Sequence, residues 1–299
     1  MVTFIDDYRD TFGVEPICRV LPIAPATYYE HKAREADPDR RSGRAKRDAW
    51  LMEQIQRVWD EHFQVYGVRK VWKQLLRESI DVPRCTVERL MREMGLKGAV
   101  RGRKRPKSNP TPIELCPEDR VKRQFNAERP NQLWVADFTY VATWAGFVYT
   151  AFVIDVFANR IVGWRCSRRQ TSDLVLDALE QALYARGDHD GLIHHSDRGS
   201  QYLAIGYTER LKDAGIDPSV GTTGCSYDNA LAETQIGLYK TELIRRRGPW
   251  KGLDNVEYAT LEWVDWFNHR RLLKPIGHVP PVEYEEAYYA TLNEQAMAA

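Results

Sequence analysis

The strongest constraint on the fold is a run of three strand-like segments in the second half of the chain. Gln132–Val141 is rich in aromatic and β-branched residues, and Phe147–Val156 is almost continuously apolar. A turn at Ala158–Arg160 then leads into Ile161–Cys166. Short apolar runs bounded by turn residues are typical of buried strands. Three of them in succession predict a sheet that is covered by other elements.

The segments after these strands alternate between helix and strand. Apolar residues at helical spacing predict helices at Ser172–Ala185 and Tyr202–Ala214. Short strands are expected at Gly191–Ser196 and Pro218–Gly221. The whole pattern predicts an α/β domain in which helices flank a mixed sheet.

The first 130 residues differ in charge from the rest and predict an all-α region. They contain 27 Lys and Arg against 20 Asp and Glu, whereas the remainder contains 16 against 22. Apolar stripes predict three helices between Arg44 and Lys97, the third at Arg84–Met94. The basic residues of this third helix are Arg84, Arg89 and Arg92. The arrangement favours a helix-turn-helix that binds DNA; a charged face that only contacts solvent is the alternative.

A strongly basic segment follows these helices. Lys97–Lys107 contains six basic residues and no acidic one, and it is followed by Ser, Asn and Pro residues. Such a segment cannot bury a core, so we expect an exposed linker. It could be a solubilising tether, but its position favours an arm that follows DNA phosphates. The residues expected to contact DNA in it are Arg101, Arg103, Lys104, Arg105 and Lys107.

Composition also excludes several classes of protein. Met1–Asp10 lacks the basic start and apolar run of a secretory signal. The longest apolar stretch, Phe147–Ala158, is too short to span a bilayer and contains Asp155. The five cysteines are scattered without a CxxC pair, which indicates a reducing compartment and no zinc module. We therefore expect a soluble, cytoplasmic protein.

Three carboxylates stand out by their placement. Asp137 lies in the middle of a predicted strand, Asp197 lies where a strand ends in a glycine-containing loop, and Glu233 lies on a predicted amphipathic helix, Ser226–Lys240. A carboxylate inside a sheet is costly unless something binds it, and a divalent cation is a common solution. Pairing with arginine, shaping a turn and facing solvent are the respective alternatives. For a fourth acid, Asp155, a structural role is favoured because it adjoins a turn.

Characteristic motifs surround these carboxylates. They are VADFTYV at Asp137, HHSDRGSQY at Asp197 and DNALAETQIGLYKTEL at Glu233. Thirty-five residues separate Asp197 from Glu233, and Lys240 follows the glutamate by seven positions. The motifs and spacing resemble those of the DDE transposases of bacterial insertion sequences, above all the OrfB-type proteins of the IS-three family. YGVRKVWKQL and FNHRRLLKPIGHVPPVEYE extend the resemblance over nearly the whole chain; Leu273 departs from it, since family members often carry histidine there.

The resemblance implies an RNase H-like fold and a DNA transposase. The first and fourth strands would bring Asp137 and Asp197 side by side, and the late helix would deliver Glu233. These three residues would be catalytic and would hold Mg²⁺ or Mn²⁺, two ions per active site. Lys240 would touch a phosphate near the cleaved end, and Asn229, Gln201 and Tyr202 are weaker candidates for shaping the metal loop.

The resemblance also implies partners and a place in the cell. The expected partners are double-stranded DNA, both element terminal repeats and target, further copies of the chain on paired ends, and for some members a helix-turn-helix protein of the upstream frame. The expected location is the bacterial cytoplasm near the nucleoid. A catalytically idle DNA-binding regulator and a metal-dependent nuclease without joining activity are the alternatives to a transposase.

These observations predict five segments. They are an N-terminal helical segment at 1–45, a helix-turn-helix DNA-binding domain at 46–98, a basic linker at 99–128, an RNase H-like catalytic core at 129–245 and a C-terminal helical extension at 246–299. The first should include two short helices within Glu15–Glu35. The last should include a helix at Leu253–Asn268 whose aromatic residues serve packing or protein contact.

Overall fold

The structure is a computed structural model, and it describes residues 1–100, 127–187, 189–197, 201–202, 204–220 and 229–298. Its first hundred residues are helical, as the sequence predicts. The helices are α1 (Val2–Phe12), α2 (Val14–Val20), α3 (Pro25–Ala36), α4 (Gly43–Glu61), α5 (Val68–Arg77) and α6 (Arg84–Glu93). The last three confirm the helices predicted between residues 44 and 97.

A five-stranded mixed sheet forms the centre of the remaining chain. Its strands are β1 (Leu133–Thr143), β2 (Gly146–Asp155), β3 (Arg160–Ser167), β4 (Ile193–Ser196) and β5 (Asp217–Val220). Their order in the sheet is β3-β2-β1-β4-β5. The first three strands are antiparallel to one another, and β4 runs parallel to both β1 and β5. This is the strand arrangement of an RNase H-like fold, so the predicted fold class is confirmed.

Helices cover both faces of the sheet. They are α7 (Ser172–Arg186), α8 (Ile205–Asp213), α9 (Ala230–Tyr239), α10 (Arg245–Arg247), α11 (Leu253–His269) and α12 (Pro281–Ala298). Because side chains alternate along a strand, β1 contributes to two cores. Trp134 and Ala136 pack with α7 and α8, whereas Leu133 and Val135 belong to the core that contains α9 and α11.

The structure describes the predicted helix Ser226–Lys240 from Asn229 onward, and its α-helical part ends one residue earlier than predicted. Residues 226–228 lie outside the described residues, Asn229 is the N-cap, and α9 ends at Tyr239. One π-helical turn, Lys240–Ile244, then joins α9 to α10. Helices α1 and α12 lie within the two terminal segments that the sequence predicts to be helical, but the pattern does not predict either helix individually.

The helix-turn-helix region shares a core with the C-terminal extension. The Tyr66 hydroxyl donates to the carbonyl oxygen of Arg270 (3.2 Å) and accepts from the backbone N–H of Leu272 (2.7 Å). Trp266 Nε1 donates to His62 Nδ1 (3.1 Å), and the His62 ring stacks on Tyr66. The buried aromatic residues of α11, Trp263, Trp266 and Phe267, are therefore packing residues, in agreement with one of the two roles expected for that helix.

Asp155 is a structural carboxylate, as the sequence favoured. It is fully buried, and its Oδ2 accepts from the backbone N–H of Asn131 (2.8 Å) and from Arg186 Nη2 (3.2 Å). Its Oδ1 accepts from the backbone N–H of Phe157 (3.0 Å). Arg186 also pairs with Glu285, which links this cluster to α12.

Two further findings concern membrane-spanning helices and cysteines in the described residues. No described helix is both long and apolar enough to cross a membrane. The cysteines in this part of the chain, Cys18, Cys85 and Cys166, are free thiols.

We expect His62 to make the stability of the protein depend on pH. Burial, with a smaller contribution from the Arg270 charge, lowers the pKa of His62 from 6.5 to about 4. Between these values the unfolded chain binds a proton that the folded chain excludes, so stability is full above pH 6.5 and is lost as pH falls toward 4. At about 1.4 kcal/mol per pKa unit, the loss is on the order of 3 kcal/mol.

Urea unfolding of the parent and of His62→Gln between pH 4 and 7 measures this dependence. Glutamine can still accept from Trp266 but does not titrate, so the pH slope should flatten. His31→Gln, an exposed change on α3, is the control and should keep the parent slope. An unchanged slope in His62→Gln would contradict the assignment.

Candidate active site

The pairing of β1 with β4 places two of the three carboxylates side by side. Ala136 lies opposite Ser196 in the parallel register; Asp137 is the next residue of β1, and Asp197 is the first residue after β4. Neighbouring strands are about 4.8 Å apart, so the two residues begin from adjacent backbone positions. The negative charge of Asp197 acts on Asp137 and raises its pKa. This placement is the one that the resemblance implied.

The third carboxylate comes from α9, whose start is tied to β1. Asn229 is buried, and its Nδ2 donates to the carbonyl oxygen of Ala136 (2.9 Å), the residue before Asp137. The backbone N–H of Glu233 donates to the carbonyl oxygen of Asn229 (3.0 Å), which places Glu233 one turn into the helix. The charge of Glu233 also raises the pKa of Asp137. Asn229 therefore positions α9 against the strand that carries Asp137.

Asp137 has the most perturbed environment of the three acids. Its Oδ1 accepts from the backbone N–H of Phe138 (2.8 Å). Burial first, and then the charge of Asp197, raise its pKa from 3.8 to about 7; Glu233 adds to the rise, whereas Phe138 and Lys240 oppose it. The described residues contain no group of three or more His, Cys, Asp or Glu side chains arranged to hold a metal ion. The charges of Asp197 and Glu233 nevertheless act on Asp137, so the three acids are electrostatic neighbours.

Lys240 is a basic residue close to the acids. It begins the π-helical turn that follows α9, and its Nζ is 5.1 Å from the centroid of the Tyr140 ring. Its positive charge lowers the pKa of Asp137, so it adjoins the acids. Single π-helical turns within α-helices are frequent at functional sites.

Comparisons with known proteins give the family. Two integrase core domain models match residues 127–226 and 214–281, and an HTH-like domain model matches residues 45–104. The transposase for insertion sequence element IS629 of Shigella sonnei is 57% identical over 299 residues, which cover 100% of both chains. The chain belongs to the insertion-sequence transposases. The transposase for IS3411 of Escherichia coli is 58% identical over 186 residues, which cover 62% of this transposase and 77% of that protein.

Solved structures similar to the transposase include a retroviral integrase core. The HTLV-2 integrase catalytic core domain in complex with magnesium is 18% identical and covers 54% of this chain and 99% of its own, with a TM-score of 0.44. The assignment of the fold rests on the strand order and on the family models.

The basic residues predicted to bind DNA have different environments in the transposase. Arg84 is exposed at the start of α6. Arg89 donates to Asp48 Oδ2 of α4 (2.8 Å), and Arg92 pairs with Glu88 (3.5 Å). Arg89 therefore holds two helices together, and its contact with DNA stays a prediction. The linker residues Arg101, Arg103, Lys104, Arg105 and Lys107 lie outside the described residues.

Two aromatic residues near the acids have features that sequence patterns alone do not indicate. Tyr202 is buried against Phe138, and its hydroxyl has no hydrogen-bond partner among the described residues. Burial and the charge of Asp137 raise the pKa of Tyr202 well above its usual range. Tyr140 contacts Lys240 but was not singled out, although it lies in the VADFTYV motif, three residues after Asp137.

We expect Asn229→Ala to lower strand joining on the order of 10- to 100-fold, because it frees the start of α9 and displaces Glu233. It should cost only about 1 kcal/mol of stability, the typical value of one hydrogen bond. Joining of element ends, measured well below the melting temperature, tests the expectation.

A second buried asparagine provides a matched control. Asn268 bonds both the backbone N–H and the carbonyl oxygen of Ile161 on β3 (3.0 and 2.8 Å), so it also ties a helix to a strand. Asn268→Ala should destabilise the protein at least as much and yet retain most joining activity at the same temperature. Equal losses of joining in the two variants would reduce Asn229 to a structural residue.

Proposed function

We propose that Asp137, Asp197 and Glu233 are the catalytic residues of the transposase, which nicks DNA at the ends of its element and joins them to target DNA with divalent metal ions. The observation that carries the proposal is the convergence of the three acids from β1, β4 and α9. The β1–β4 register supports the placement of the first two, and the bond from Asn229 to Ala136 supports that of the third.

The chemistry of the donor set fits a hard divalent cation. Carboxylate oxygens are the ligands that Mg²⁺ and Mn²⁺ prefer. Asn229 Oδ1, buried beside them, has no hydrogen-bond partner among the described residues and could hydrogen-bond a metal-bound water. The mutual repulsion that contributes to the raised pKa of Asp137 is a further reason for positive charge at this place. Two ions held by these acids would stabilise the attacking and leaving oxygens of phosphoryl transfer.

The surrounding residues have supporting roles in this proposal. The backbone N–H of Phe138 orients the Asp137 carboxylate through its bond to Oδ1. Lys240 places an ammonium group near the acids, where it binds a phosphate close to the cleaved bond. Tyr202 is buried against Phe138, the residue after Asp137, and supports this part of β1.

The helical region then positions the DNA. We propose that α6 enters a groove through Arg84 and Arg92, that the basic segment 97–107 follows phosphates, and that copies of the chain pair two element ends. This assignment of roles uses the same five segments that the sequence predicts. It also suits a protein that works on the bacterial chromosome in the cytoplasm, alone or with the helix-turn-helix protein of the upstream frame.

Neutralising any one acid should abolish chemistry and spare DNA binding. We expect Asp137→Asn, Asp197→Asn and Glu233→Gln each to lower donor-end nicking and strand joining by more than about 100-fold, because a metal ligand is lost. Asp213→Asn, an exposed change at the end of α8, is the control and should leave both activities unchanged.

The assay uses labelled ends of the element, Mg²⁺ and target DNA, with a pre-cut donor end tested separately. Normal joining by a single acid variant would overturn the assignment. Cleavage by the parent without joining of the pre-cut end would identify a nuclease instead of a transposase.

Metal binding should stabilise the folded protein through the same acids. At a metal concentration about 100 times the dissociation constant, the gain is about 2.7 kcal/mol, or a rise in Tm of about 4 °C for a chain of this size. Asp137→Asn should remove most of the rise, whereas Asp213→Asn should keep it. Thermal unfolding with and without Mg²⁺ or Mn²⁺ measures the effect, and an equal rise in both variants would place the metal elsewhere.

A further inference from the structure

The hairpin that joins β1 to β2 carries three exposed aromatic side chains. Only Leu133–Ala136 of β1 pairs with β4, so the rest of β1 extends past the end of that strand. On this extension and its turn, Tyr140 is 59% exposed, Trp144 is 72% exposed and Phe147 is 55% exposed. The Tyr140 and Phe147 rings meet edge to face, with centroids 5.4 Å apart. Large apolar side chains grouped in this way mark a binding surface more often than scattered ones do.

The backbone of the hairpin is held in place although its side chains are not covered. Thr143 Oγ1 donates to the carbonyl oxygen of Gly146 (2.7 Å) and accepts from the backbone N–H of Ala145 (3.2 Å). The backbone N–H of Trp144 donates to the carbonyl oxygen of Trp250 (2.9 Å), which anchors the turn to the segment after α10. A fixed backbone presents the aromatic rings in one arrangement, so a ligand loses little of its binding energy in ordering them.

Lysine residues border the aromatic side chains. Lys240 Nζ lies over the Tyr140 ring. Lys251 is exposed and follows Trp250, and its other neighbour, Gly252, lies against Ala145 of the turn. Within the described parts of the chain, no carboxylate forms an ion pair with Lys251. Interfaces between proteins are depleted in lysine, whereas aromatic rings beside positive charges are typical of sites for unpaired nucleotides.

The position of the hairpin fits the end of a DNA strand. Tyr140 follows Asp137 by three residues, so their backbone positions are about 10 Å apart along the strand and their side chains leave it on opposite faces. Successive nucleotides of one DNA strand rise by about 3.4 Å, so this distance corresponds to about three nucleotides. Lys240 links Tyr140 to Asp137, because its Nζ lies over the Tyr140 ring and its charge lowers the pKa of Asp137.

We propose that Tyr140, Trp144 and Phe147, with Lys240 and Lys251, form a stacking platform for unpaired nucleotides at the DNA end next to the cleaved bond. The bases stack on the rings, and the two ammonium groups contact the adjoining phosphates. The proposal rests on the proposed function for the place of cleavage alone. Binding to the platform requires neither metal nor chemistry.

Binding to two DNA ends without divalent metal tests the platform. One is the fully paired end of the element, and the other has three mismatched terminal base pairs with 2-aminopurine among the unpaired bases. Trp144→Ala and Tyr140→Ala should each weaken binding to the unpaired end by about 5- to 150-fold, the range for loss of one stacked base. Binding to the paired end should change less than about twofold, and the 2-aminopurine quenching seen with the parent should be lost.

Two variants control the experiment. Tyr184→Ala removes an aromatic side chain that is 94% exposed on α7, and it should bind both ends like the parent. Trp144→Phe keeps a flat ring and should restore most of the quenching. Unchanged binding and quenching in Trp144→Ala would overturn the proposal. So would a change of oligomeric state with quenching intact, since it would make the hairpin a contact between copies. The experiment measures binding and fluorescence but not cleavage. An error in the assignment of the three acids therefore cannot produce either result.

Discussion

The parallel pairing of β1 with β4 is the constraint on which the candidate active site depends. It sets Ala136 opposite Ser196, so that the two acids follow on adjacent strands. Side chains alternate between the faces of a sheet, and a slip of one residue would turn Asp137 to the opposite face. The register is held by burial on both sides, because Trp134 packs under α7 and Val135 packs in the core with α11. The same apolar contacts that stabilise the sheet therefore position the two acids.

Two carboxylates with raised pKa values, Asp155 and Asp137, differ in the partners that the fold gives them. Burial raises the pKa of both Asp155 and Asp137. Around Asp155 the fold supplies Arg186 and backbone N–H donors, which stabilise the charge in place. Around Asp137 it supplies Asp197 and Glu233, which destabilise the charge, although the backbone N–H of Phe138 and the charge of Lys240 oppose them. Groups with strongly perturbed pKa values cluster at functional sites.

The sequence predicts the local elements and the acids better than the contacts between elements. Strand runs and helical stripes depend on neighbours in the chain, so the five strands and helices α4–α9 could be anticipated. Helix α12 could not, because its Tyr, Ala and Glu residues form no clear apolar stripe and its anchor, Glu285, pairs with distant arginines. Likewise, only the structure shows that Arg89 binds Asp48 and that Asn229 bonds Ala136, since those partners are 41 and 93 residues apart. The motif spacing predicts the three acids as site residues, yet it does not indicate the exposed rings of the β1–β2 hairpin.

The core that the helix-turn-helix region shares with α11 limits how far this region can move relative to the sheet. Tyr66 bonds the chain at Arg270 and Leu272, and α11 in turn packs on the sheet, where Trp263 meets Phe152. Moving α6 relative to Asp137 would break these buried contacts and expose aromatic surface, at a cost of about 25 cal/mol for each Å² uncovered. Packing therefore sets the distance between α6 and the three acids. If α6 enters a DNA groove and the acids hold the cleaved bond, as proposed, that distance determines the spacing between the two on the DNA.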